Sequence, residues 1–182
     1  MKKQLFAALS LSALVLVGCK KEEPVPVELG SATISGRLTA NLDLSNDVTA
    51  SGVYQRGLNP EAVAGVQVSV TINTINWDLN PVGGYAYPTK VYTATTDANG
   101  NYTLSIPCNT KSFNGTVVFG DVIKTQTQYE PNNDGTVDTK EVKFSFNSIG
   151  VTLFDGASSS SNDRMGSESV QNNNDITDDL GS

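Results

Sequence analysis

The chain contains no histidine, so it lacks the side chain that most often serves as a general base in enzymes. The same absence removes the usual partner of a nucleophilic serine or cysteine. The acidic residues lie mostly in turns, in the N-terminal linker and in the C-terminal tail, with no spacing that selects a carboxylate pair for glycoside hydrolysis. We therefore expect a protein that is not an enzyme, with no catalytic residues and no cofactor.

Positive charge is also scarce. The 182 residues include 12 Lys and Arg against 19 Asp and Glu, which gives a net charge of −7. A chain this acidic lacks the basic surface that neutralises phosphate groups, so we expect no nucleic-acid partner.

No apolar run is long enough to cross a bilayer as a helix. The longest, residues 5–17, has 13 residues, whereas a membrane-spanning helix needs about 20. It follows the basic residues Lys2 and Lys3, and this order is typical of a signal peptide. We assign residues 1–18 to that signal peptide.

The apolar run ends in Leu16, Val17, Gly18 and Cys19, and this sequence resembles the lipobox of bacterial lipoproteins. The resemblance implies cleavage before Cys19, a diacylglycerol on its sulfur and acylation of its new amino group. Because each buried CH₂ contributes about 0.8 kcal/mol, several acyl chains make a durable membrane anchor. An ordinary secretory signal followed by a chance cysteine is the alternative. We predict that lipidated Cys19 anchors the protein in the cell outer membrane.

Residues 19–30 form the predicted tether between the anchor and the folded domain. They carry the charged cluster KKEE and then the stiff, extended stretch PVPV. Lysine after Cys19, in place of aspartate, argues against retention in the inner membrane. The Lys-Glu-Glu pattern resembles the export signal that some Gram-negative bacteria use for surface display, although a solvated spacer has the same composition. We expect the domain to be exposed at the cell surface.

Cysteine is nearly absent, since Cys108 is the only one besides Cys19. If Cys19 is acylated, the chain cannot form an intramolecular disulfide. We expect a buried thiol at position 108, with pairing between two chains as the alternative.

The middle of the chain is rich in strand signals and has no helical stripe. Val66, Val68, Val70 and Ile72 alternate with polar residues, which is the period of a half-buried strand. Residues 91–107 hold two alternating runs around the turn sequence DANG, and this arrangement predicts a β-hairpin. Further strands are predicted within residues 31–41, 115–129, 142–146 and 151–154. The sequence predicts an all-β fold, a seven- to eight-stranded antiparallel β-sandwich over residues 31–155.

Three segments, ISGRLT, AGVQVSV and YTATTDANGNYTLSIP, occur in this order between residues 34 and 107. They resemble the carboxypeptidase regulatory-like and transthyretin-like (prealbumin-like) β-sandwich domains of bacterial surface proteins. The resemblance implies a non-catalytic accessory or adhesion module, and it brings no catalytic residues.

The C-terminal segment, residues 156–182, differs in composition. It contains runs of serine and asparagine, few apolar residues and no aromatic residue. Such a segment buries too little apolar surface to offset the chain entropy of about 1–2 kcal/mol per residue. We predict a disordered tail.

Residues 130–141, EPNNDGTVDTKE, place oxygen-bearing side chains at the offsets of an EF-hand calcium loop, from Glu130 to Glu141. Glutamate at the first position, Pro131 at the entry and strand-like flanks argue against calcium. We expect a connection between two strands and no metal site.

Trp77, Tyr85 and Tyr87 lie in a loop rich in glycine, proline and asparagine. Aromatic rings at such positions either form a binding surface or fold back to cap one end of the sandwich. We predict a lipid-anchored, non-catalytic binding or adhesion module whose ligand is a glycan, a host protein or an envelope protein. The alternative is a structural subunit of a fimbria-like or envelope assembly, and a calcium-binding or carboxylate-dependent enzyme is a more remote third.

Overall fold

The structure is a computed structural model, and it describes residues 27–130 and 137–170. The described residues form eleven β-strands and two short 3₁₀ helices. The strands are β1 (Gly30–Ala40), β2 (Glu61–Ala62), β3 (Gln67–Asn73), β4 (Thr89–Thr95), β5 (Asn101–Cys108), β6 (Phe113–Phe119), β7 (Val122–Thr127), β8 (Thr139–Ser145), β9 (Ile149–Leu153), β10 (Ser158–Met165) and β11 (Ser167–Val170). The 3₁₀ helices span Leu44–Asn46 and Thr74–Trp77.

The strands form three sheets. In the first sheet β1 is central, with β10 parallel to it on one edge and β5 and β2 antiparallel to it on the other. The second sheet has the order β4-β3-β6-β9, and the third has the order β11-β8-β7. All pairs in the second and third sheets are antiparallel. The predicted all-β sandwich is confirmed, with more strands than expected and one parallel pair.

One apolar core holds the sheets together. The predicted alternation in β3 is confirmed, because Val68, Val70 and Ile72 are buried while their odd-numbered neighbours are exposed or half-buried. Ile34 on β1 and Phe144 on β8 are also fully buried in this core. Each such side chain contributes about 1.5–3 kcal/mol, so the sheets are held together mainly by apolar burial.

The prediction of a hairpin over residues 91–107 is wrong. Its two strands exist, but β4 pairs with β3 and β5 pairs with β1, so the connection crosses from one sheet to the other. The turn itself is as expected: the Asp97 carboxylate accepts hydrogen bonds from the N–H groups of Asn99 and Asn101, each 2.8 Å long. Gly100 follows with a φ of +76°. Turn chemistry fixes the local bend, whereas the pairing partner of each strand depends on distant residues.

Thr96 attaches this crossing to the start of β3. Its hydroxyl donates a 2.7 Å hydrogen bond to the carbonyl of Val63 and accepts a 2.9 Å hydrogen bond from the N–H of Val66. Because Thr96 is buried, these bonds satisfy groups that water does not reach.

The prediction of disorder from residue 156 is wrong for residues 158–170, which form β10 and β11. β10 pairs with β1 over Thr33–Thr39, and β11 pairs with β8. These strands gain order from backbone hydrogen bonds to strands already in place, a contribution that composition does not reveal. The described domain therefore extends to residue 170 rather than 155.

Glu168 of β11 further ties the C-terminal strand to the rest of the domain. Its carboxylate accepts hydrogen bonds from Asn41 Nδ2 at 2.8 Å and Gln126 Nε2 at 3.3 Å, and it forms an ion pair with Arg56. Gln126 also donates a 2.6 Å bond to the carbonyl of Asn41. This network holds the long loop between β1 and β2 against β7 and β11.

The predicted signal peptide, Cys19 and most of the tether lie outside the described residues. In the described ranges, no helix is both long enough and apolar enough to span a bilayer.

Candidate functional site

The loop between β3 and β4 is shaped by side chains that bind its own backbone. Asn73 Oδ1 accepts a 3.0 Å hydrogen bond from the N–H of Ile75, which starts the 3₁₀ helix Thr74–Trp77. Asp78 Oδ1 accepts a 2.8 Å bond from the N–H of Asn80, which directs the chain away from that helix. Asn73 and Asp78 thus give this loop a defined path.

Tyr87 closes the loop on itself. Its hydroxyl donates a 2.6 Å hydrogen bond to Asp78 Oδ2 and accepts a 2.9 Å bond from the N–H of Val82. Burial and the bond to Asp78 raise the pKa of the Tyr87 phenol. The ring of Tyr85 lies edge-on to that of Tyr87, with 4.8 Å between their centroids.

Trp77, the last residue of the 3₁₀ helix Thr74–Trp77, is only 8% exposed. Its carbonyl accepts a 2.7 Å hydrogen bond from Asn109 Nδ2, which joins the loop to the end of β5. The ammonium group of Lys90 lies 5.0 Å from the centroid of the Trp77 ring, within the range of a cation–π interaction. The buried Nε1 of Trp77 has no hydrogen-bond partner among the described residues.

These side chains line a cavity of about 250 Å³ that opens to the surface. The three aromatic residues singled out in the sequence all contribute to it. Its lining residues include Leu29, Trp77, Asp78, Tyr85, Tyr87, Pro88 and Lys90. Val27, the first described residue, also lines the cavity. The cavity therefore lies where the described chain enters the domain.

The burial of the aromatic rings differs within the loop, and ligand binding by them stays a prediction. Trp77 is buried and belongs to the core cluster, as a capping residue would. Tyr85 and Tyr87 are only half-buried, so their rings are accessible from solvent. The loop therefore packs one aromatic ring into the core and leaves two rings accessible.

Two charged members of the site were not singled out in the sequence. Asp78 follows Trp77 directly, and an aspartate in a glycine-rich loop gives no separate signal. The alternation of β4 in the sequence could have assigned Lys90 to the inward face of this strand. Lys90 shares that face with Tyr92 and Ala94, which pack against the core. In the cavity, the carboxylate of Asp78 is already occupied by internal hydrogen bonds, whereas Lys90 forms no ion pair with any described residue.

The other sequence candidates do not form sites in the described part of the chain. Cys108 is a buried free thiol whose Sγ lies 3.3 Å from the carbonyl oxygen of Ile106, and burial raises its thiol pKa.

Residues 131–136 of the calcium-like loop lie outside the described residues. At its border, Glu130 Oε1 accepts a 2.8 Å bond from the N–H of Asp138. Within the described ranges, no group of three or more His, Cys, Asp or Glu residues is placed to hold a metal ion.

Comparisons with known proteins add little to this description. No protein-family model matches the chain, and no curated protein matches its sequence. Among solved structures, a match is found to a mutant of the shaft pilin SpaA from Lactobacillus rhamnosus GG, with 12% identity and a TM-score of 0.30. The aligned region covers 78% of this chain and 52% of the pilin, so the chain spans about half the length of that protein. A similarity this low supports no functional inference, and membership in the carboxypeptidase regulatory-like family stays a prediction.

Proposed function

We propose that the protein is a lipid-anchored, non-catalytic binding module of the bacterial outer membrane, and that the aromatic cavity is its ligand site. The observation that carries this proposal is the convergence of Trp77, Tyr85 and Tyr87 on one accessible cavity. Aromatic rings offer a large contact area at low entropy cost, and sugar rings and protein side chains both bind to such surfaces.

The size of the cavity limits the ligand. Its volume of about 250 Å³ lies below the roughly 300–1,000 Å³ of sites that enclose a whole drug-sized molecule. One ring therefore fits, such as a single residue of a glycan or one side chain of a protein partner. The ammonium group of Lys90 lines the cavity and forms no ion pair with any described residue, which favours a ligand with an acidic or strongly hydrogen-bonding group beside that ring.

The position of the cavity limits where the ligand comes from. Val27, which lines it, follows the proposed lipid anchor Cys19 by eight residues. Eight residues span at most about 30 Å when fully extended, so the cavity would stay close to the membrane. This geometry favours an envelope glycan or an outer-membrane protein over a distant host receptor.

The proposal is tested with the full chain purified in detergent. Trp77 is the only tryptophan, so its fluorescence reports on the cavity during titration with a panel of neutral and acidic envelope glycans. We expect a saturable change with at least one glycan, and calorimetry should show that Tyr85→Ala weakens this binding at least tenfold. Tyr54→Ala is the matched control, because Tyr54 is also half-buried but stacks on Tyr129 outside the cavity.

A protein ligand is tested separately, by crosslinking a photoreactive residue at position 85 in intact cells. If no glycan binds and no envelope protein is captured, or if Tyr85→Ala leaves the binding unchanged, the proposed site is wrong.

A second candidate function is a structural subunit that assembles through its sheet edges. It is favoured by the exposure of every odd-numbered residue of β4, a strand that pairs on one side only. Sedimentation of the detergent-purified full chain tests it, because a subunit of this kind self-associates and a chain that stays monomeric at all concentrations would contradict it.

A further inference from the structure

Among the described strands β4 pairs only with β3, and the geometry of this ladder shows which backbone groups of β4 have no described partner strand. At one end of the β3–β4 pair, the N–H of Thr74 donates to the carbonyl of Pro88; at the other, the N–H of Thr96 donates to the carbonyl of Val66. Because hydrogen-bonded pairs alternate along an antiparallel ladder, the even-numbered residues of β4 bond to β3. The odd-numbered residues direct their N–H and C=O groups away from the sheet. These residues are Thr89, Val91, Thr93 and Thr95.

The four outward residues of this edge include no charged side chain and no proline, two features by which proteins often prevent edge pairing. All four outward residues are exposed, β-branched and uncharged, and Val91 is 61% exposed. The only charged residue of β4, Lys90, lies over Trp77 on the inward face. The adjacent edge strand β5 differs, because Pro107 has no N–H to offer and Asn101 is engaged in the turn with Asp97.

The sheet that carries β4 is also uncharged on its outer face. The outward residues of its strands are Gln67, Ser69, Thr71 and Asn73 on β3, Asn114, Thr116 and Val118 on β6, and Gly150 and Thr152 on β9, besides the four of β4. The chain has 31 charged side chains, 12 basic and 19 acidic, but none of the described ones lies on this face. When two copies of the sheet lie side by side, their outer faces therefore do not repel each other.

We propose that β4 is a docking edge for β4 of a second copy of this chain, so that the two sheets join antiparallel across a two-fold axis. The inference rests on the second candidate function and identifies the surface that it would use. The strand is self-complementary about Tyr92. With the axis at Tyr92, Val91 lies opposite Thr93 of the second copy, and Thr89 lies opposite Thr95.

This register satisfies the unused backbone groups and creates no charge conflict. All four outward residues have an N–H and a C=O, so each forms a hydrogen-bonded pair with its counterpart. Lys90 lies opposite Ala94 of the second copy, so no like charges meet, and the two Tyr92 rings form a cross-strand aromatic pair. A two-fold contact of one surface with itself is the usual form of a homodimer.

The first test is the dimer dissociation constant of the detergent-purified full chain, measured by analytical ultracentrifugation. We expect Val91→Lys to weaken the dimer at least tenfold. Val118→Lys is the matched control, because Val118 is 50% exposed on the same face but lies on the central strand β6. Val91→Pro is a second variant: it removes the outward N–H of Val91, whereas the N–H groups of β4 that bond to β3 belong to the even-numbered residues.

The second test addresses the register. Hydrogen-bonded residues in an antiparallel pair have Cα atoms about 5.5 Å apart, which suits a disulfide, whereas diagonal neighbours are about 7–8 Å apart. We expect Val91→Cys chains to crosslink to Thr93→Cys chains under mild oxidation when the two are mixed, and neither to crosslink with itself. Wild-type chains, with Cys108 buried, are the control.

The outcomes separate the inference from the function on which it rests. A wild-type chain that is monomeric at all concentrations overturns both. A dimer that Val91→Lys leaves unchanged, or that crosslinks in no mixture of the two cysteine variants, overturns the β4 edge and leaves assembly through another surface standing.

Discussion

The hydroxyl of Tyr87 bridges Asp78 Oδ2 at 2.6 Å and the backbone N–H of Val82 at 2.9 Å. This bridge fixes a loop that has no strand ladder of its own, and it holds the Tyr87 ring at the wall of the aromatic cavity. One hydroxyl group therefore links the order of the loop to the shape of the candidate site.

Removing this hydroxyl should loosen the loop while keeping the aromatic surface. We expect Tyr87→Phe to lower the midpoint of urea unfolding, because Asp78 and Val82 each lose a partner. Hydrogen exchange should show faster exchange confined to the loop between β3 and β4. Tyr129→Phe is the control, since the described contact of Tyr129 is ring stacking on Tyr54 at 4.2 Å. Equal effects of the two changes would contradict this account.

The raised pKa of Tyr87 predicts a loss of stability at alkaline pH. Burial and the bond to Asp78 raise the pKa of this phenol above its ordinary value of 10.0, so the folded state keeps the proton that the unfolded state releases. The contribution of the protonated Tyr87 phenol to the free energy of unfolding is fully present below pH 10.0 and is lost as the pH rises through the folded-state pKa. Urea unfolding at about pH 8 and at several values above 10 measures it. In Tyr87→Phe this dependence should be shallower, and an unchanged dependence would argue against the bond.

Gly100 should tolerate no side chain. A Cβ at this position would lie 2.4 Å from the carbonyl oxygen of Leu38, and its φ of +76° already disfavours other residues. Gly52 has a similar φ of +81° but no atom within 4 Å of such a Cβ. We expect Gly52→Ala to lower the free energy of unfolding by about 1 kcal/mol and Gly100→Ala by at least about 2 kcal/mol more. Chemical denaturation checks both, and equal losses would show that the close approach to β1 is absent.

Glu168 should contribute to the stability of the whole domain. Its carboxylate is mostly buried, so Glu168→Ala removes the acceptor of Asn41 Nδ2, one of the two acceptors of Gln126 Nε2 and the ion-pair partner of Arg56. We expect a loss of about 3 kcal/mol in the free energy of unfolding. Glu141→Ala, at an exposed position of β8, should stay within about 0.5 kcal/mol of wild type. A negligible effect at Glu168 would mean that the C-terminal strand does not pack as described.

The local character of the chain could be read from the sequence because it depends on neighbouring residues. Alternation at Val68, Val70 and Ile72 gave the buried face of β3, and the DANG sequence gave a turn with Gly100 at positive φ. The clustering of Trp77, Tyr85 and Tyr87 in one short loop was enough to nominate them as a site. The lipobox and the signal peptide also depend on local sequence, and they stay predictions because they lie outside the described residues.

The tertiary structure decided which strands pair, and this decision lies with contacts between distant residues. β4 and β5 flank one turn, yet β4 joins β3 and β5 joins β1, because each strand buries its inward face only in its own sheet. Ser158–Met165 looked too polar to fold, but backbone hydrogen bonds to β1 need no apolar side chains. Lys90 reached the aromatic cavity for the same reason: the pairing of β4 with β3 places it over Trp77. Sequence alone determined what each segment can form, and long-range pairing determined where its side chains meet.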